Sequence, residues 1–181
     1  MNLITGIYLT LFFFGIFFTM VFIILHIRYR KELYSSPTPT KFPSISFLVP
    51  AYNEEKGISG TIKSIVNLRY PKNKIEIIII NDGSNDKTLS ISKKLRQKYS
   101  YLRILDKKNS GKPDSLNQGI KMARGELIAV VDADSYPNKE ALMKMVGYFE
   151  EEGVAAVTSR VLVKNKGNYL EKFQVLDYSI I

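Results

Sequence analysis

The chain opens on an unbroken apolar stretch. From Leu3 to Leu25 there is no charged side chain; Ile, Leu, Phe and Val dominate, with a Phe12-Phe13-Phe14 cluster. Apolar positions run all the way round a helical wheel, unlike the amphipathic helix of a soluble domain. Roughly 23 residues of helix reach ~35 Å, enough to cross a bilayer. A signal peptide would want a basic start, a shorter apolar core and a small-x-small cleavage site, and none of these is evident. A transmembrane helix with its basic flank is therefore expected over residues 1–31. Residues 32–43, with Ser35-Ser-Pro-Thr-Pro-Thr40 and Pro43, read as a short, stiff linker.

After residue 43 the pattern alternates between strands and helices. Strands are expected at Ile45–Val49, Ile75–Ile80, Leu102–Leu105, Glu126–Asp134 and Val154–Val163. Helices are expected at Glu54–Leu68, with a Glu-rich first turn, and at Asp86–Tyr99, Asp114–Ala123, Pro137–Glu151 and Tyr169–Ile181. Such alternation predicts an α/β fold, a mostly parallel sheet with helices on both faces. In that architecture ligands gather beyond the carboxyl ends of the strands.

Composition and charge narrow the chemistry. Hydrophobic residues make up 45% and charged residues 24%, which permits a packed core. Lys and Arg number 26 against 17 acids, a net charge of +9 that suits an anionic partner. With no cysteine and one histidine, any metal must be held by oxygen. His26, Arg28, Arg30 and Lys31 follow the apolar helix and no basic side chain precedes it, which places the N-terminus outside and the rest in the cytoplasm.

The strand ends carry the candidate chemistry. The fourth strand runs into Asp132-Ala-Asp134. If the strand continues through both aspartates, they share a face and repel each other unless a cation lies between them. Mg2+ or Mn2+ fits such a site, and Ala133 leaves room for a ligand. The other three strands end at Pro50-Ala-Tyr-Asn-Glu-Glu55, Asn81-Asp-Gly-Ser-Asn-Asp86 and Lys107-Lys-Asn-Ser-Gly-Lys112. Tyr52 offers a ring to a base, Asp82 an acceptor for a ring N–H or ribose hydroxyl, and Lys112 a charge for phosphate. Asn81 to Ser84 is by itself also a good turn sequence. Gly111-Lys112 is not a phosphate-binding P-loop, because position 106 is Asp. Nucleic acid is not expected as a partner, since acidic strand ends repel phosphate.

Val49-Pro-Ala-Tyr-Asn-Glu54, Asn81-Asp-Gly-Ser-Asn-Asp86, Gly111-Lys112 with Leu116-Asn117, and Asp132-Ala-Asp134-Ser135 together resemble the motifs of family 2 glycosyltransferases with the GT-A fold. The single N-terminal helix, Tyr70-Pro71, Gln174 and Asp177-Tyr178 resemble the membrane polysaccharide synthases, the branch of poly-N-acetylglucosamine, hyaluronan, chitin and cellulose synthases. The resemblance implies a membrane-anchored hexosyltransferase that takes a UDP-sugar with Mg2+ or Mn2+ and serves a saccharide or lipid-linked acceptor. It implies that Ala51, Tyr52 and Glu54 line the nucleoside pocket, that Asp82 binds uracil and that Lys112 approaches the donor. It further implies that Asp132 lies near ribose and metal and that Asp134 coordinates the metal, with Ala133 between the two acids. Pro113 and Ser115 depart from the usual Ala, Ser159-Arg160 from Thr-Gly, and Asp177 from Glu. The family's catalytic base and its Gln-x-x-Arg-Trp motif do not occur up to Ile181. Residues 44–181 are thus expected to be the donor-binding part of a GT-A domain. The alternatives are a non-catalytic binding module completed by a partner chain, and a transferase that adds one sugar to a lipid carrier.

Overall fold

The computed structural model describes residues 2–159 and divides the chain into two units, residues 1–37 and 38–181. The first unit is one helix, α1 (Leu3–Tyr34). Its Leu3–Arg30 stretch has a mean hydropathy of 2.5, is wholly unburied, and is long and apolar enough to cross a membrane. Thr10 and Thr19 turn their hydroxyls back onto the carbonyls of Gly6 and Gly15, so neither presents a free donor to a lipid environment.

The second unit is built on a four-stranded parallel sheet in the order β3-β2-β1-β4. Its strands are β1 (Ile45–Ala51), β2 (Ile75–Asp82), β3 (Leu102–Lys107) and β4 (Leu127–Val130). The helices are α2 (Ile58–Val66), α3 (Thr88–Lys98), α4 (Lys112–Met122) and the short α5 (Ala141–Met145). Parallel pairing sets Val49 beside Ile79, and Ile79 beside Ile104. Alternation along β1 and β2 sends residues to opposite faces. Phe47, Val49, Ile77 and Ile79 share one core with Ile58, Ile62 and Ile65 of α2 and Leu95 of α3. Leu48, Ile78 and Ile80 form a second core with Leu116 and Met122 of α4. Burial on both faces explains why β2 reads as a run of isoleucines rather than as an alternation.

The strand order carries one consequence for function. From β1 the chain steps outward to β2 and β3, then returns to the other side of β1 as β4. The order therefore reverses between β1 and β4, and in open α/β sheets a crevice forms beyond the carboxyl ends of strands at such a point.

Several local expectations are corrected. The fourth strand ends at Val130 rather than running to Asp134, and it is half-exposed: Ile128 and Val130 are 45% and 51% accessible. Asp132 and Asp134 lie in a turn closed by the Ser135 N–H on the Asp132 carbonyl (2.9 Å), so they do not share a strand face. The first helix of the sheet unit begins at Ile58 with no acid in its first turn; Glu54 and Glu55 lie in the loop before it. Asn81 and Asp82 are the last residues of β2, not a free turn, because both pair with β3. The helix expected at Pro137–Glu151 is α5 followed by a 3-10 turn at Val146–Glu150. Residues 154–159 form no strand, and the remainder of that expected strand and the helix expected at Tyr169–Ile181 lie outside the described residues.

Candidate functional site

One cleft of about 270 Å³ opens beyond the carboxyl ends of β1, β2 and β4. It is lined by Ala51, Tyr52, Glu54, Asp82, Lys112, Asp132, Ala133 and Asp134, together with Pro50 and Ser115. All eight residues singled out from the sequence therefore meet in one place.

The floor of the cleft is densely hydrogen-bonded. Ala51 is the last residue of β1, paired with Asn81, and is buried. The loop after it turns at Asn53, whose φ of 56° lies in the left-handed region that asparagine tolerates better than most residues. Asn53 is clasped from both sides: its N–H donates to Ser84 Oγ (3.0 Å), and its Oδ1 accepts from the Asn85 N–H (2.9 Å). The next N–H groups, of Glu54 and Glu55, donate to Thr88 Oγ1 (2.8 Å) and Asp86 Oδ2 (3.0 Å). The loops after β1 and β2 are thus stitched together, with the Tyr52 ring left 48% exposed on the cleft.

The Asp132–Asp134 turn is fastened to α2. Thr61 Oγ1 donates to the Ala133 carbonyl (2.7 Å) in a fully buried setting. Gly57 lets α2 come this close: a Cβ there would stand 2.8 Å from the Ala133 oxygen and 3.1 Å from Asp134 Cα. Neither Thr61 nor Gly57 was legible as a site residue, because each acts on backbone more than 70 positions away.

Charge is distributed unevenly. Burial raises the Glu54 carboxyl above its ordinary pKa, and the carboxylates of Asp134, Asp86 and Asp132 push it further. The cleft therefore concentrates negative charge that a cation would relieve. Lys112 already offsets part of it, its Nζ lying 2.5 Å from Asp132 Oδ1. Both side chains are more than half exposed, so the pair is worth only ~0–1 kcal/mol and either partner can be drawn to a ligand. Asp82 is different. Burial favours its neutral form, but bonds from Lys107 and from the N–H groups of Ser110 and Gly111 (both 2.9 Å) outweigh burial and hold its pKa below the usual range. Among the described residues no three acidic or histidine side chains cluster into a complete metal-ligand set. Asp132 and Asp134 offer hard oxygen donors at a site whose acids repel one another, and that chemistry fits Mg2+ or Mn2+ with the remaining ligands drawn from water or substrate.

The comparisons with known proteins agree with this geometry. The family model described as "Glycosyl transferase family 2" matches residues 46–177. The chain is 38% identical over 135 residues to the "Probable glycosyltransferase YdaM" of Bacillus subtilis, covering 72% of this chain and 32% of that protein. It is 37% identical over 157 residues to the "Beta-monoglucosyldiacylglycerol synthase" of Nostoc sp., covering 84% and 32%. It is 33% identical over 154 residues to the "Poly-beta-1,6-N-acetyl-D-glucosamine synthase" of Staphylococcus aureus, covering 84% and 37%. The chain thus spans about a third of the length of the curated relatives it matches. Among solved structures, the mannosyltransferase PcManGT from Pyrobaculum calidifontis, in complex with GDP-Man and Mn2+, aligns with a TM-score of 0.63 at 26% identity, over 73% of this chain and 41% of that one. S. aureus TarS 1-349 in complex with UDP-GlcNAc aligns with a TM-score of 0.55 at 30% identity, over 67% and 41%. A parallel sheet that reverses order at an acidic cleft, and a family model that matches most of the chain, lead to one conclusion: this chain belongs to glycosyl transferase family 2.

Proposed function

We propose that the cleft binds a nucleotide-sugar donor, a UDP-sugar, together with Mg2+ or Mn2+, for transfer of the sugar by a membrane-anchored glycosyltransferase to a growing polysaccharide. The observation that carries this reading is the meeting of Tyr52, Asp82, Lys112, Asp132 and Asp134 in one cleft at the reversal of strand order. Tyr52 gives a base an exposed ring to stack on. Asp82, kept ionised, accepts a ring N–H. Lys112 leaves Asp132 for the diphosphate, exchanging one charge-assisted bond for another. Asp134 and Asp132 hold the cation, which supplies charge neutralisation for a leaving diphosphate when bound. The UDP-GlcNAc bound to TarS and the polysaccharide named in the S. aureus relative support the donor and acceptor classes.

Residues 1–31 serve as the anchor in this reading, and the linker expected at 32–43 starts only after α1 ends at Tyr34, with 44–181 as the donor-binding part of the domain. The basic residues in the last turns of α1, with none before its apolar stretch, favour an outside N-terminus and a cytoplasmic cleft. A second reading has a lipid acceptor and a single sugar transferred; the Nostoc relative, named for a glucosyldiacylglycerol product, favours it. Product size separates the two, since a single glycolipid migrates apart from polymer. The donor site itself is tested by calorimetry of the detergent-solubilised chain with UDP-glucose and UDP-N-acetylglucosamine, with and without Mn2+. Binding is expected to require Mn2+ and to be lost in Asp134→Ala. Equal binding by wild type and variant refutes the metal assignment.

A further inference from the structure

Lys107 closes β3 directly beside Asp82, its register partner at the end of β2. Its side chain is only 9% exposed, against 56% for Lys112. An ammonium has three N–H donors, and all are taken from within the chain: by Asp82 Oδ1, by Ser110 Oγ and by Ser115 Oγ at 3.2 Å. Asp114 Oδ2 stands 3.5 Å away and itself accepts from the Ser110 hydroxyl. Lys107 thus has no donor left for a phosphate, although its charge sits beneath a cleft built for one.

The acceptor side closes in the same way. A carboxylate has about four acceptor positions. Two on Asp82 Oδ1 are filled by Lys107 and the Ser110 N–H, and one on Oδ2 by the Gly111 N–H. One position, on Oδ2, remains in a side chain that lines the cleft. The same bonds hold the loop from Lys107 to Lys112, with Gly111 at a φ of 90°. Ser115 is fully buried and supplies the lysine's third acceptor. Alanine there would remove this acceptor and leave that hydrogen only the more distant Asp114 Oδ2 at 3.5 Å.

We propose that Lys107 is a positioning residue for nucleobase recognition: seated on Ser110 and Ser115, it fixes the Asp82 carboxylate so that a single acceptor faces the base. This rests on the donor-site reading above. Lys107 touches no ligand and acts through Asp82, whereas Lys112 serves the diphosphate. Removing Lys107 should therefore weaken ligands that carry a base and spare those that carry only phosphate.

The test uses the full chain in detergent with two probes, UDP with Mn2+ and inorganic pyrophosphate with Mn2+. Lys107→Met is expected to weaken UDP by roughly tenfold or more, about 1.4 kcal/mol, and pyrophosphate by less than about twofold. In an Asp82→Asn background the same substitution should add less than about twofold, because its route of action is gone. Parallel loss of both probes, loss of neither, or an undiminished penalty in the Asp82→Asn background overturns the proposal. If Lys107→Met alone does not fold, Asp82→Asn/Lys107→Met leaves no unpaired buried charge, and Ser115→Ala removes one partner only. Ser115→Ala is then expected to weaken UDP roughly threefold and leave pyrophosphate unchanged; unchanged UDP affinity overturns the proposal. Wild type that takes neither probe refutes the donor-site reading and this inference with it, while wild type that takes pyrophosphate but not UDP refutes base recognition alone.

Discussion

The hydroxyl of Thr61 gives the sharpest test of how the Asp132–Asp134 turn is held. It is wholly buried on α2 and donates to the Ala133 carbonyl at 2.7 Å. Thr61→Val keeps the shape, the β-branch and the methyl, and removes only the donor. The carbonyl is then left buried without this partner, a loss of about 1–3 kcal/mol. Thr61→Ser keeps the donor and removes one buried methyl, a loss of about 1 kcal/mol. The two variants should thus differ in kind. Urea unfolding of the chain in mild detergent, followed by tyrosine emission, ranks the stabilities. Calorimetry with UDP and Mn2+ reads the turn. Thr61→Val is expected to be the less stable and to bind UDP with Mn2+ roughly tenfold more weakly, about 1.4 kcal/mol, because the turn that carries both aspartates has lost its tether. Thr61→Ser should bind within about twofold of wild type. The reasoning fails if Thr61→Val is as stable as Thr61→Ser and binds nucleotide equally well.

Two further outcomes are expected. Tyr70 is buried, donates to the Pro43 carbonyl at 2.7 Å, and has its pKa pushed up to about 12 by burial first and Glu126 second. A phenol with a raised folded pKa stabilises the fold fully below its unfolded value near 10, and that share disappears as pH rises to about 12. The stability advantage of wild type over Tyr70→Phe, read by urea midpoints from pH 9 upward, should shrink through that window; a constant difference contradicts the assignment. Gly125 packs against backbone, where an added Cβ would stand 2.5 Å from Ser46 N and 2.8 Å from Ile45 C. Gly125→Ala is expected to lose about 2 kcal/mol or more by forcing β4 from β1, and an unfolding midpoint equal to wild type would contradict it.

What the sequence determined by itself is the set of local elements and the chemistry they carry. An uncharged apolar stretch can only satisfy its backbone as a helix in an apolar setting, so α1 was legible from composition. Short apolar runs bounded by polar clusters announced β1 and β2, the second a run of isoleucines, because strands buried on both faces are mostly apolar. Tyr52, Asp82, Lys112, Asp132 and Asp134 were legible because strand ends in a parallel sheet share one rim, so residues placed directly after apolar runs are brought together, with Ala133 between the two acids; Ala51 and Glu54 came from the family resemblance.

Only the tertiary structure decided what holds those residues in place. The aspartates read as a continuation of β4, yet β4 stops at Val130: no alternation marks where pairing with β1 ends, and the turn is fixed instead by Thr61 and Gly57 from α2. Lys107 read as one more cation among 26, yet it lies buried against Asp82, which depends on the register of β2 against β3. Strand order was equally hidden. Local sequence sets where a strand forms, but whether β4 lies outside β3 or returns to β1 is a property of the whole packed sheet. That return places the Asp132–Asp134 turn opposite Tyr52 and makes the cleft.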